Sequence, residues 1–170
     1  MKKTLFILCL FISVAFTSNA QRYAIIDSRY ILEKLPEYKE SQTKLDQFST
    51  QWQQEIEKKQ ADLDRMYKDY DAEQVMLTDV LKKKRQDELY NREKEVRDLQ
   101  KRRFGFEGDL FRKRQELIKP IQDRVYIAIQ KLAVERSYDF ILDKSEGITV
   151  IFADPKLDRS DDVLKYLGVK

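Results

Sequence analysis

QVMLTDVLKKKR, residues 74–85, decides how this chain folds, because it lies near the midpoint of the longest helical pattern in the sequence. From Tyr38 to about Arg136 apolar residues recur at alternating spacings of three and four, with almost no loop signal. Counting the free part of that pattern from Tyr38 to Leu117 puts its centre near residue 78, where Thr78 or Asp79 suits the N-cap of a new helix. The pattern therefore reads as an antiparallel hairpin with its tip near 77–80. Arms of about 40 residues at 1.5 Å per residue reach roughly 60 Å.

Two apolar seams support that reading. On the outgoing arm Leu45, Trp52 and Met66 share one heptad position, interrupted by Lys59 and Glu73, while Ile56, Leu63, Tyr70 and Leu77 share the other. On the returning arm Leu89, Val96, Leu110 and Leu117 recur by sevens around Arg103, and Leu99 and Phe106 hold the second position. Pro120 costs about 3 kcal/mol in a helix interior, so it is expected where the returning helix bends into the body. Gly105 and Gly108 stand in the returning arm, within KRRFGFEGDLFRKR at 101–114. A hairpin centred on residue 78 sets Gly108 opposite Phe48 and Gly105 opposite Gln51 or Trp52. The glycines are then sockets for large side chains, a hinge that lets the arm bend, or both.

Outside the arm the pattern changes. Tyr23 to Ile26, including Ile25, is a short strand-like run. Asp27-Ser28 offers a cap for the brief helix that Pro36 closes. Tyr138 to Leu142, including Phe140 and Ile141, and Ile148 to Phe152, including Val150 and Ile151, are two further β-rich runs joined by a candidate hairpin loop at 143–147. A closing helix follows, with Ser160 as cap and Gly168 as stop. Three strands in one sheet at the base of the hairpin make the fold class α+β and predominantly α. Residues 21–37 and 118–170 form the body, and 38–117 form the arm.

The first twenty residues read as a secretory signal: Lys2 and Lys3, an apolar run from Leu5 to Phe16 too short to span a bilayer, then Ser18-Asn19-Ala20. The chain is expected to be exported and to start at Gln21. Its one cysteine, Cys9, falls inside that run, and there is no histidine, which excludes Cys/His metal sites and histidine-based triads from the mature chain. No cofactor motif is present. Removing Lys2 and Lys3 leaves 31 basic against 30 acidic residues, a net of +1, which argues against a nucleic-acid partner. Charge is nevertheless uneven, with basic clusters at Lys82-Lys83-Lys84-Arg85, Lys101-Arg102-Arg103 and Arg112-Lys113-Arg114. The first two are candidate contacts for an acidic protein segment, lipopolysaccharide or an anionic membrane surface. Carboxylate pairs such as Asp161-Asp162 read as helix-end residues, so no enzyme chemistry is expected.

AIIDSRYILEKLPEYKE at 24–40, IKPIQDRVYIAIQKLAVERSYDFILDKS at 118–145 and SDDVLKYLG at 160–168 together resemble the Skp/OmpH family of periplasmic chaperones, in order and over nearly the whole mature chain. Asp158-Arg159-Ser160 departs mildly from that family's usual cap. The resemblance implies a jellyfish-like homotrimer with a β-rich trimerisation body and three helical arms as tentacles around a cavity. It also implies ATP-independent binding of unfolded outer-membrane β-barrel proteins in the periplasm of a Gram-negative-type bacterium. The alternative is a structural coiled-coil spacer or adaptor in the envelope, which requires a closed apolar seam.

Overall fold

A computed structural model describes residues 21–145 and 150–169. It divides into two units, one formed by the chain up to Ile31 with Val125–Lys170, the other by Leu32–Arg124. The chain is mostly helical with a two-stranded parallel sheet.

In the first unit β1 (Tyr23–Ile26) pairs with β2 (Phe140–Asp143), Tyr23 opposite Phe140 and Ile26 opposite Asp143. The pairing is parallel because the whole helical region forms the crossover between the strands. Ala24, Ile25 and Ile26 are all buried, so both faces of β1 are covered. The sheet residues Ile141 and Leu142 are half-buried. Helix α6 (Ser160–Tyr166) contributes the buried Val163 and Leu164, and Val125, Ala128 and Leu132 are buried along the later part of α5 (Lys119–Arg136).

Among the described residues the expected third strand is not formed. Val150, Ile151 and Phe152 lie outside any strand, with Ile151 and Phe152 exposed; Ile148 and Thr149 fall outside the described residues. After β2, Lys144 N–H donates to the Ile26 carbonyl (2.8 Å), and the Asp143 carboxylate accepts from the backbone N–H groups of Ser28 (3.1 Å) and Ser145 (3.0 Å). These bonds tie the end of β2 to the end of β1 and the start of α1 (Ser28–Lys34). The second neighbour of β1 is instead a single parallel bridge, Ile25 to Asp158.

Two expectations about caps also change. Ser160 does not cap α6: its hydroxyl accepts from Asp27 N–H (2.8 Å), while the Asp158 carboxylate takes Ser160 N–H (2.9 Å). Pro36 opens a helix as well as closing one. Leu35 before it is extended (φ −82°, ψ 121°), as proline requires of its predecessor, and Pro36 is the first residue of α2 (Pro36–Glu73). Asp27 caps α1 as expected, accepting from Tyr30 N–H (2.9 Å). Gly168 (φ 79°) ends α6 with paired bonds, Gly168 N–H to Lys165 O and Val169 N–H to Leu164 O.

The second unit holds α2, α3 (Asp79–Phe104), α4 (Asp109–Leu117) and the start of α5. The chain reverses between Glu73 and Asp79, with Thr78 as an extended N-cap residue whose side chain makes no capping bond. Cross-arm contacts are antiparallel: Tyr70 with Gln86 (2.9 Å), Tyr67 with Glu93 (3.4 Å), and Glu55 with Arg103 (3.0 Å). Ile56 and Leu63 from α2 and Leu89, Val96 and Leu99 from α3 form the buried seam. Pro120 sits in the first turn of α5, where a missing N–H costs no intrahelical bond.

The returning arm is not one helix. It stops at Phe104 and restarts at Asp109, with Gly105 (φ −71°, ψ 177°) and Gly108 (φ −69°, ψ −174°) as the two flanking caps and Glu107 left-handed (φ 52°) between them. Phe106, expected in the seam, is 97% exposed because the break shifts the helical phase.

Candidate functional site

The most organised polar cluster lies at this elbow, and it begins from a residue that interrupts the heptad. Arg103 stands one residue before the end of α3, where a coiled-coil seam wants an apolar side chain. Its guanidinium donates to Asp109 Oδ2 (2.7 Å) across the break and to Glu55 Oε2 (3.0 Å) on α2, and lies 4.8 Å from the centre of the Trp52 ring. Phe48 stacks on Trp52 at 5.5 Å and Phe104 meets it edge-on at 6.5 Å. Lys113 from α4 stands 5.5 Å from the Phe48 ring. Three helices are thus tied at one point by two cations and three aromatic rings. Burial alone would raise the Asp109 pKa, but hydrogen bonds from Arg112 and Arg103 outweigh it and hold the carboxyl below its ordinary value.

This arrangement corrects two expectations. Arg103 is not a free client or anion contact, since its side chain is 25% exposed and engaged by two carboxylates. Gly105 and Gly108 are not sockets for Trp52 and Phe48. A Cβ at Gly105 would stand 2.3 Å from Lys101 O, and one at Gly108 2.8 Å from Arg102 O, so their own chain leaves no room there. Glu55 and Asp109 were not singled out from the sequence, and no local signal marks a partner 48 residues away.

The remaining basic residues differ in their surroundings. At the tip, Arg85 pairs with Glu88 (3.4 Å) and Glu73 (3.8 Å), so Glu73 is an ion-pair partner rather than an empty seam position. Lys82, Lys83 and Lys84 have no carboxylate partner among the described residues, and neither have Lys101 and Arg102. Beside the tip lysines stand apolar residues that sequence reasoning passed over, Val75, Met76, Val80 and Leu81, all exposed. Their spacing in VMLTDVL carried the signal, since the turn leaves them outside either seam. At the other seam gap, Lys59 borders a shallow cleft with Met66, Arg92 and Val96.

In the first unit Tyr23 and Phe140 stack at 5.6 Å, nearly parallel and partly exposed. Among the described residues no group of three or more His, Cys, Asp or Glu is placed to hold a metal ion, and no helix is long and apolar enough to cross a membrane.

A family model described as outer membrane protein (OmpH-like) matches residues 22–167. The chain belongs to the OmpH/Skp-like outer-membrane chaperone family. That family is non-enzymatic. A crystal structure described as an OmpH-like outer membrane chaperone from Caulobacter crescentus CB15 is similar to this OmpH-like chain, with TM-score 0.67 and 16% sequence identity over 87% of this chain and 84% of that one. At that identity the likeness is one of fold. No curated protein matches the chain.

Proposed function

We propose that this protein is an ATP-independent periplasmic holdase that takes up unfolded outer-membrane β-barrel proteins before membrane insertion. On this reading residues 1–20 are a cleaved signal peptide, and three copies join through their sheet-bearing units and enclose the client between helical arms. The observation that carries it is the family match over residues 22–167. The seam supports it against the rigid-spacer alternative, because Lys59 borders an open cleft and the returning arm is broken at 105–108. Exposed apolar side chains in the first unit, Ile151 and Phe152 with the Tyr23–Phe140 stack, fit a surface covered by further copies.

The test is dilution of a denatured outer-membrane barrel protein with and without the mature chaperone, with the complex mass measured in parallel. Aggregation falls and the complex contains three chaperone copies. Unchanged aggregation would sink the holdase reading, and another stoichiometry would sink the trimer.

The tip carries a second contact on this reading. Lys82, Lys83 and Lys84 with Val75, Met76, Val80 and Leu81 combine unpaired cations and exposed apolar side chains, the pairing that suits an anionic lipid or lipopolysaccharide surface. Each lysine near such a surface contributes about 1 kcal/mol. Changing all three to glutamine removes most of the binding to vesicles containing anionic lipid while leaving client binding intact. Equal binding of the parent protein to neutral and anionic vesicles would exclude the charge component.

A further inference from the structure

We infer that Phe106 is a client-contact residue, presented by the elbow to aromatic and acidic segments of an unfolded polypeptide. The inference rests on the chaperone reading and deepens it by naming a contact point.

Phe106 is the most exposed large apolar side chain among the described residues, at 97%. An exposed phenyl ring in a frayed segment would need no explanation, but this segment is not frayed. Gly105 N–H donates to Lys101 O (2.8 Å), Gly108 N–H to Gly105 O (2.9 Å), and Arg112 Nη1 to Glu107 O (3.4 Å). Arg103 bridges the break to Asp109, and Arg112 also pairs with Asp109. Glu107 is held left-handed, a conformation that non-glycine residues adopt at a cost. The loop is therefore over-determined by its own bonds while its one aromatic side chain meets solvent. Strain kept under such constraint is a reason to look for a role, and the side chain displayed says what kind of role.

Charge selects the occupant. Lys101 and Arg102, in the last turn before the break, have no carboxylate partner among the described residues. Arg103 is neutralised by Glu55 and Asp109, and Arg112 is engaged by Asp109, so neither adds a free cation. Glu107 is the acid beside the ring, leaving an excess of one positive charge over residues 101–107 once Arg103 is set aside. Phe111 on α4 adds a second exposed ring five positions on. Rings bordered by free cations take up aromatic side chains by stacking and acidic ones by ion pairing. An unfolded chain offers both in extended form.

The test uses the mature full-length protein and two labelled synthetic peptides without stable structure, one with aromatic and acidic residues and one with serine in place of the aromatics. Phe106→Ser weakens the aromatic peptide about tenfold, as expected for the loss of one buried phenyl contact. It leaves the serine peptide and the unfolding midpoint unchanged, because the ring is exposed. Phe106→Leu recovers part of the loss. Lys101→Gln with Arg102→Gln weakens the aromatic peptide at low salt and has little effect at high salt.

If the parent protein binds the aromatic peptide and Phe106→Ser binds it equally, this inference is overturned and the chaperone reading stands. If the parent binds no unfolded chain at all, both fall. Loss of the oligomer in Phe106→Ser would assign the ring to a contact between copies and overturn it. A single-stranded oligonucleotide bound more tightly than the peptide, and lost in Phe106→Ser, would assign the site to nucleic acid.

Discussion

Alanine at both Gly105 and Gly108 lowers the unfolding free energy of the arm by about 3 kcal/mol, although alanine is the better helix former by about 1 kcal/mol at each position. The propensity gain does not apply, because neither residue is helical: each is an extended cap of a helix that ends or begins beside it. What applies is space. The new methyl at position 105 would lie 2.3 Å from the Lys101 carbonyl oxygen, the same atom that accepts Gly105 N–H at 2.8 Å. Relieving the contact pulls that hydrogen bond apart. At position 108 the neighbours are the carbonyl oxygens of Arg102 (2.8 Å) and Gly105 (2.9 Å), again backbone that cannot rotate away. Urea denaturation followed by circular dichroism measures the loss, and Gly105→Ala alone shows the larger share. A stabilised double variant with higher helix content would mean that α3 runs straight through 105–108, and the elbow account would be wrong.

The reversal near residue 78 was legible because helix periodicity is local. Each apolar residue declares its face within a turn or two, and counting between Tyr38 and Leu117 then brackets the tip. Pro120 was legible for the same reason, although its tolerated place is the first turn of α5 rather than a bend in a running helix. Two kinds of feature were not legible. The elbow depends on Arg103 finding Glu55 and Asp109, a pairing set by the register of two helices, so its sequence sign was only an ill-fitting residue in a heptad. Phe106 went to the seam on phase alone, and the break that moved it out lies one residue before it. Strand pairing is non-local as well. Ile148 to Phe152 has strand composition, yet the described part of it, Val150 to Phe152, pairs with no strand, while Asp158, much farther along the chain, bridges to Ile25 beside β2.

Arg103→Ala destabilises the arm by about 3 kcal/mol at neutral pH, and its consequence depends on acidity in a defined direction. Removing the guanidinium leaves Glu55 without its cation and Asp109 with Arg112 alone, and a partly buried carboxylate that loses a partner is costly. The contact with the Trp52 ring, about 1 kcal/mol in a partly desolvated setting, is lost too. Against this, Arg103 Nε is buried with no acceptor, so the parent protein already carries one unmet donor, which limits the net loss. Arg103→Lys restores charge but neither the fork nor the flat stacking surface and recovers less than half. Acidity separates charge pairing from packing. Arg112 and Arg103 together depress the Asp109 pKa against its burial, so the share that Arg103 supplies is present above the ordinary carboxylate pKa of about 4 and fades as pH falls through the lower folded value. The stability gap between parent and Arg103→Ala therefore narrows as pH drops below about 4, whereas a gap due only to lost packing on Trp52 stays constant. Denaturation midpoints of both proteins across that range decide between the two. A constant gap would show that Arg103 serves the elbow as a flat surface packed on Trp52 and not as a charge.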